Sequence, residues 1–189
     1  MRAELALCGR GQRSRLCRKD KIGQLRIMIT IRSAVTTDAE AICAIHNQGI
    51  ADRIATLDST LRTPADSLAW LTERGPRHPV IVAEAEGCVV GWASLNRFNP
   101  RAAYDGVADF SVYVERGNRG KGIGRQLLTR LIALARDAGY HKMVLTAIAY
   151  NDAGIALYTW AGFTRVGVYH EQGQFDGKWI DTLIMEKIL

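Results

Sequence analysis

The stretch that most constrains this chain is residues 107 to 125, Val-Ala-Asp-Phe-Ser-Val-Tyr-Val-Glu-Arg-Gly-Asn-Arg-Gly-Lys-Gly-Ile-Gly-Arg. Its β-branched first part, Val107 to Val114, predicts a strand. A loop with four glycines (Gly117, Gly120, Gly122, Gly124) and three cations (Arg116, Arg119, Lys121) follows, and helical periodicity starts directly after it. Strand, glycine loop and helix N-terminus together make an anion site. Glycines let backbone N–H groups approach a phosphate, and the helix start carries unpaired N–H groups and a positive dipole end.

Two owners of such a loop are excluded by neighbouring residues. A nucleotide P-loop needs Lys-Ser/Thr, whereas Lys121 is followed by Gly122. A dinucleotide fold needs an acid about 20 residues on, at the end of the next strand. None stands around Val144 and Leu145, and Asp152 lies beyond that strand. A basic surface turn remains as the bland alternative.

The rest of the chain predicts a mixed α/β domain. Ile29 to Val35 reads as a strand, and Thr36, Thr37, Asp38 and Glu40 announce a helix carrying Ile42, Ala44, Ile45 and Ile50. Arg53 to Arg62 lacks a period and reads as a loop. Thr63-Pro64-Ala65-Asp66 opens a second helix, with Leu68, Trp70 and Leu71 as its apolar residues. Val80 to Ala85 and Cys88 to Leu95 form a hairpin about Glu86-Gly87. After the glycine loop, Leu127, Leu128, Leu131, Ile132, Leu134, Ala135 and Ala138 line one helical face, closed by Gly139. A strand over Lys142 to Ala149, a short helix over Asp152 to Trp160 capped by Asn151, and two strands about a Gln172 to Gly177 turn complete the order β-α-α-β-β-β-α-β-α-β-β. That order implies a mixed sheet with helices on both faces.

Charge bounds the partners. The net charge of +6 arises in residues 1 to 27, which hold eight cations and two acids, leaving 17 of each sign in residues 28 to 189. The folded part is electrically neutral, so nucleic acid is not an expected partner. No apolar run reaches the roughly 18 residues of a membrane helix. Residues 1 to 27 are expected to be a basic, disordered extension, either an upstream start or a targeting segment, with one domain over 28 to 189. Cys8, Cys17, Cys43 and Cys88 lack metal spacing, and no metal is expected. A reducing, cytoplasmic setting follows.

Arg119-x-x-Gly122-x-Gly124 resembles the pyrophosphate loop of the GNAT superfamily of N-acetyltransferases. Asn151-Asp152-Ala153-Gly154-Ile155-Ala156-Leu157-Tyr158, continuing to Gly162-Phe163, is similar to that superfamily's Asn-x-x-Ala and Leu-Tyr-x-x-x-Gly-Phe segment. The resemblance implies the GNAT fold, a sheet of about seven strands flanked by about four helices, with acetyl-CoA as cofactor. It implies cofactor contacts at Val112, Tyr113, Val114, Arg119, Gly120, Lys121, Gly122, Ile123, Gly124, Arg125, Asn151 and Tyr158. Pantetheine is expected where the fourth and fifth strands splay, with the backbone N–H near Val112 polarising the thioester carbonyl.

Further segments, Arg101 to Tyr104, Asp109 to Val114 and Phe175 to Asp181, resemble the phosphinothricin, methionine sulfoximine and arsinothricin N-acetyltransferases. This narrower likeness implies acetylation of the α-amine of an amino-acid-like molecule by direct attack in a ternary complex, in the service of detoxification or resistance. Asp109 stands where these relatives carry a glutamate base, and Tyr158 is the expected proton donor to the thiolate. Arg101 is the candidate for a substrate anion, with Tyr104 and Trp179 walling the pocket, and a homodimer is implied. Asp105 replaces an arginine found in relatives. Two other readings stay open: acetylation of peptide or protein N-termini, which would leave Arg101 out of the pocket, and a non-catalytic acyl-CoA sensor.

Overall fold

A computed structural model describes residues 28 to 189, together with a backbone ladder pairing Arg18–Lys19 with Leu25–Arg26. The disorder expected of residues 1 to 27 otherwise lies outside the described residues. Seven strands form one mixed sheet: β1 (Ile29–Ser33), β2 (Val80–Ala85), β3 (Cys88–Arg97), β4 (Val107–Val114), β5 (Lys142–Ile148), β6 (Thr164–Phe175) and β7 (Lys178–Ile188). Their order across the sheet is β1-β2-β3-β4-β5-β7-β6. Four helices, α1 (Ala39–Asp52), α2 (Pro64–Thr72), α3 (Ile123–Asp137) and α4 (Asp152–Trp160), intervene in the order expected.

Both faces of the sheet are covered. On one, α3 and α4 bury Leu127, Leu128, Leu131 and Ile155 against Ala93, Leu95 and Phe110. On the other, Ile42 and Ile45 of α1 meet Val80, Val82 and Trp92, with Trp70 and Leu71 of α2 packed alongside. The start of α2 forms as its sequence predicts: the Thr63 hydroxyl accepts from the Asp66 N–H, and the Asp66 carboxylate accepts from the Thr63 N–H at 2.8 Å.

Several local expectations are corrected. β1 stops at Ser33, because Val35 precedes a 3₁₀ turn whose Asp38 carboxylate accepts the Val35 N–H at 2.8 Å. Ala44 faces solvent while Cys43 and His46 are buried, and in α2 Ser67 is buried whereas Leu68 is exposed. β3 extends to Arg97, and the last hairpin turns tightly at Asp176–Gly177 rather than over six residues, so β6 runs on to Phe175.

The feature that positions the site lies between β4 and β5. These strands run parallel and pair only at Val107–Lys142, Ala108–Met143 and Asp109–Val144. Beyond Asp109 they diverge, although β3 pairs with β4 through to Val114 and β7 pairs with β5 through to Ile148. The sheet is forked, and Phe110 to Val114 face the gap.

Candidate active site

Two cavities meet at the fork. The first, about 510 Å³, is lined by Val112, Tyr113 and Val114 of β4, by Asn118, Arg119, Gly120, Gly122, Ile123, Gly124 and Arg125 of the glycine loop and α3, and by Asn151 and Tyr158. Gly120 and Gly122 adopt φ of +76° and +80°, where a side chain would be strained. Gly122 is the N-cap of α3 and offers no side-chain cap, so the first N–H groups of that helix keep their hydrogen-bonding capacity for a ligand. A Cβ on Gly124 would lie 3.2 Å from Leu157, which narrows the cradle from the α4 side. Asn151 caps α4, its side-chain oxygen accepting from the Gly154 N–H at 3.0 Å.

Of the expected cofactor residues, Lys121 alone does not line this cavity; it is exposed and its ammonium donates to Asn118. Arg119 is held by Asp52 at 2.6 Å, and Asp52 binds Arg116 as well. The carboxylate at the end of α1 therefore neutralises part of the loop's charge and braces it, leaving backbone amides as principal anion ligands.

The second cavity, about 670 Å³, lies on the α1 side of the fork and contains Asp109, Ser111, Lys142, Thr146, Thr182 and Glu186. Ala55, Val112, Tyr113 and Tyr158 line both cavities. Register explains the second lining. Asn96, Asp109, Val144 and Glu186 form one row across β3, β4, β5 and β7; beyond the fork, Ser94 pairs with Ser111 on one arm and Thr146 with Ile184 on the other. Paired residues of a ladder point to the same face, and Asp109, Ser111, Val144, Thr146, Ile184 and Glu186 all look into the second cavity.

Burial pushes the Asp109 carboxyl up to about 6, against the opposing pull of the Phe110 N–H and the Asn96 amide. Burial also raises Tyr158, with Tyr113 and Asp109 nearby adding to the effect, so its phenol stays protonated well beyond neutrality. Its ring packs against Phe110, with centroids 5.7 Å apart. Tyr113 is pushed up to about 12 by burial. It stacks on Trp92 at 4.8 Å and touches His46 at 5.1 Å. His46 is buried and depressed to about 4, chiefly by desolvation, so it is a neutral part of an aromatic wall. His170 is exposed and pairs with Asp181 at 2.9 Å.

The remaining expected substrate residues are not brought together. Arg101 is exposed and lines neither cavity. Tyr104, 37% exposed, reaches the second cavity only through Phe98, whose ring lies 5.6 Å away, and Trp179 is 59% exposed on β7. Sequence reasoning missed Ala55, Thr56 and Leu57 of the α1–α2 loop, and Lys142, Thr146, Thr182 and Glu186. Alternation along β5 from Lys142 to Ile148 was the signal that one of its faces is partly polar.

A glycine loop at a helix N-terminus, a forked sheet, and a buried carboxyl and phenol lining one cavity suit an enzyme that brings two reactants together from opposite sides of a sheet. Comparison with known proteins agrees. Residues 48 to 163 match the acetyltransferase (GNAT) family. The L-methionine sulfoximine/L-methionine sulfone acetyltransferase of Pseudomonas paraeruginosa is 36% identical over 159 residues, covering 83% of this chain and 92% of the relative. The crystal structure of a ribosomal-protein-alanine N-acetyltransferase from Brucella melitensis is 40% identical with a TM-score of 0.82, covering 85% of this chain and 99% of that one. A phosphinothricin acetyltransferase from Sinorhizobium meliloti, solved in complex with acetyl-CoA, is 32% identical with a TM-score of 0.80, covering 85% of this chain and 88% of that one. The chain belongs to the acetyltransferase (GNAT) family and is an N-acetyltransferase that uses acetyl-CoA.

Proposed function

We propose that the protein acetylates the α-amine of a small amino-acid-like molecule, of the phosphinothricin or methionine sulfoximine type, by direct attack in a ternary complex. The observation that carries this is the pair of cavities meeting at Val112, Tyr113 and Tyr158, with Asp109 in the second alone. The first suits acetyl-CoA, which supplies the acetyl group: Gly120, Gly122, Gly124 and the α3 N-terminus hold an anion, and the open edge of β4 offers peptide groups to an extended chain.

Asp109 takes a proton from the bound ammonium, a task that its carboxyl near 6 suits better than an ordinary aspartate would. The freed amine forms the new N–C bond as the C–S bond breaks. The N–H near Val112 stabilises charge on the carbonyl oxygen. Tyr158 gives its proton to the departing thiolate and is reprotonated by the second proton that the nitrogen sheds as the amide forms. Holding both reactants across the fork supplies much of the acceleration.

A second reading, acetylation of a protein N-terminus, is favoured by the likeness to the Brucella ribosomal-protein-alanine N-acetyltransferase and by the position of Arg101 outside both cavities. The small-substrate reading is supported by the cover over the second cavity. The Leu57 side chain packs against Gly173 of β6, and the Tyr150 hydroxyl donates to the Arg53 carbonyl at 2.9 Å, drawing the α1–α2 loop over the opening. We further infer a cytoplasmic enzyme of detoxification that works as a homodimer, in which the exposed Val166, Val168, Tyr169 and Trp179 of β6 and β7 are covered. Release of CoA thiol with phosphinothricin, methionine sulfoximine, ordinary amino acids and an Ala-initiated peptide tests the proposal. Turnover confined to the peptide overturns it.

A further inference from the structure

Lys142 and Glu186 form an ion pair inside the second cavity. Neither belongs to the chemistry assigned to Asp109 and Tyr158. Both side chains keep contact with the cavity, being 28% and 33% exposed. Their placement follows from register. Asp109 pairs with Val144, and Val144 pairs with Glu186, so the two carboxylates stand in one row with β5 between them. At a strand spacing of about 4.8 Å, their backbones are about 10 Å apart. Lys142 lies two residues before Val144 on the same face, at the end of the cavity towards the start of β4.

This geometry matches the length of an amino acid whose amine lies at Asp109 and whose side chain runs along the sheet. Among the described residues lining the cavity, Lys142 is the one cation, against Asp109 and Glu186. An anionic head group would gain Lys142 but meet Glu186 as a like charge in a partly dry space. An ionised glutamate only accepts hydrogen bonds, and a lysine ammonium only donates them. A neutral group that both accepts and donates satisfies the two at once.

We propose that Lys142 and Glu186 read the far end of the substrate and select an uncharged donor–acceptor head, such as a sulfoximine or carboxamide, over an anionic phosphinate or carboxylate. Lys142 donates to the head-group oxygen and Glu186 accepts from its N–H. Glu186 supplies the repulsion that rejects anions, which is how many sites gain specificity. The α-carboxylate is common to all these amino acids and cancels from the comparison. The proposal rests on the reading that this cavity takes a small amino acid.

The test measures kcat and KM with acetyl-CoA for L-methionine sulfoximine, L-phosphinothricin and L-methionine in the full-length protein, with acetyl-CoA binding by calorimetry as a check that each variant folds. The wild type is expected to favour sulfoximine over phosphinothricin by at least about tenfold in kcat/KM, the lower end of what one desolvated polar mismatch costs. Glu186→Gln removes the repulsion and should shrink that ratio about tenfold, chiefly through a lower KM for phosphinothricin. Glu186→Asp keeps the charge and should keep the wild-type order. Lys142→Gln should reduce the advantage of sulfoximine over methionine. A wild type preferring phosphinothricin, or a Glu186→Gln ratio within about twofold of wild type, overturns the proposal. Failure to acetylate any amino acid while a peptide is acetylated overturns the underlying functional reading instead.

Discussion

A Cβ built on Gly173 of β6 would lie 2.7 Å from the Cδ1 of Leu57 in the α1–α2 loop. Leu57 lines the second cavity, so this contact seats the cover of the proposed amine site on the sheet edge. Leu57 is flexible at its tip and can turn aside, which makes Gly173→Ala a gentle perturbation. The variant should raise KM for the amine severalfold while its unfolding free energy stays within about 1 kcal/mol of wild type. Steady-state kinetics and urea unfolding check both parts.

Asp109, the proposed base, should set the acid limb of the pH profile. With its carboxyl pushed up to about 6, the base is protonated below that pH, so kcat/KM should rise through pH 6 and level off above it. Asp109→Asn should lower kcat/KM by about 10²–10⁴-fold and abolish this limb. Stability has the opposite sign. The folded state holds the Asp109 proton more tightly than the unfolded chain, so folding loses free energy as pH climbs from about 4 through 6. At pH 8 the asparagine variant should therefore be the more stable protein, by about 1–2 kcal/mol after allowance for the carboxylate's contact with solvent in the cavity. Thermal unfolding at pH 5 and pH 8 tests this, and a variant no more stable at pH 8 would contradict it.

Tyr158→Phe removes the proposed proton donor while retaining the ring packed on Phe110 and Phe163. We expect kcat to drop about 10²-fold with acetyl-CoA affinity held within a factor of a few. Because burial raises the wild-type phenol, no alkaline limb from Tyr158 should appear below pH 10. Isothermal titration with acetyl-CoA separates binding from turnover.

Asp38 anchors α1 to the sheet. Its carboxylate receives Arg32 at 2.7 and 2.9 Å and also caps the Val35 N–H, and Arg32 reaches on to Glu84 at 2.7 Å. Asp38→Asn should cost about 2 kcal/mol, since Arg32 is left half-buried with one partner fewer. The Arg32 guanidinium holds the Asp38 carboxyl below its ordinary 3.8, so this stabilisation is complete above that pH and fades as the pH falls beneath it. Chemical unfolding from pH 7 down to pH 3 should show wild type and variant converging.

Local chemistry was legible in the sequence wherever it was written in consecutive residues. The capping box of Thr63 and Asp66, the αL glycines of the phosphate loop and the apolar stripe of α3 each depend on contacts within a few positions. The amine cavity was less legible because strand register assembles it. Lys142 and Glu186 are 44 positions apart and meet only because β7 pairs with β5 from Lys142–Ile188 to Ile148–Thr182. Arg101 and Tyr104 sit in the β3–β4 connection and Trp179 beside the hairpin turn at the start of β7, where no long period states the direction of a side chain, and all three are exposed. In α2 the buried Ser67 and exposed Leu68 show how a single residue of phase escapes a short helix.

The fork between β4 and β5 has a mechanical consequence. Three consecutive pairs clasp the two parts of the sheet like the closed end of a zip, and Asp109 is the last clasped tooth. The width of the cleft is set by where that zip stops. Admitting a bulkier amine by parting the strands would first undo Asp109–Val144 and carry the carboxylate away from the reaction. The proposed base is thereby its own gauge, and changes of substrate are steered towards the walls and the α1–α2 loop rather than towards the seam.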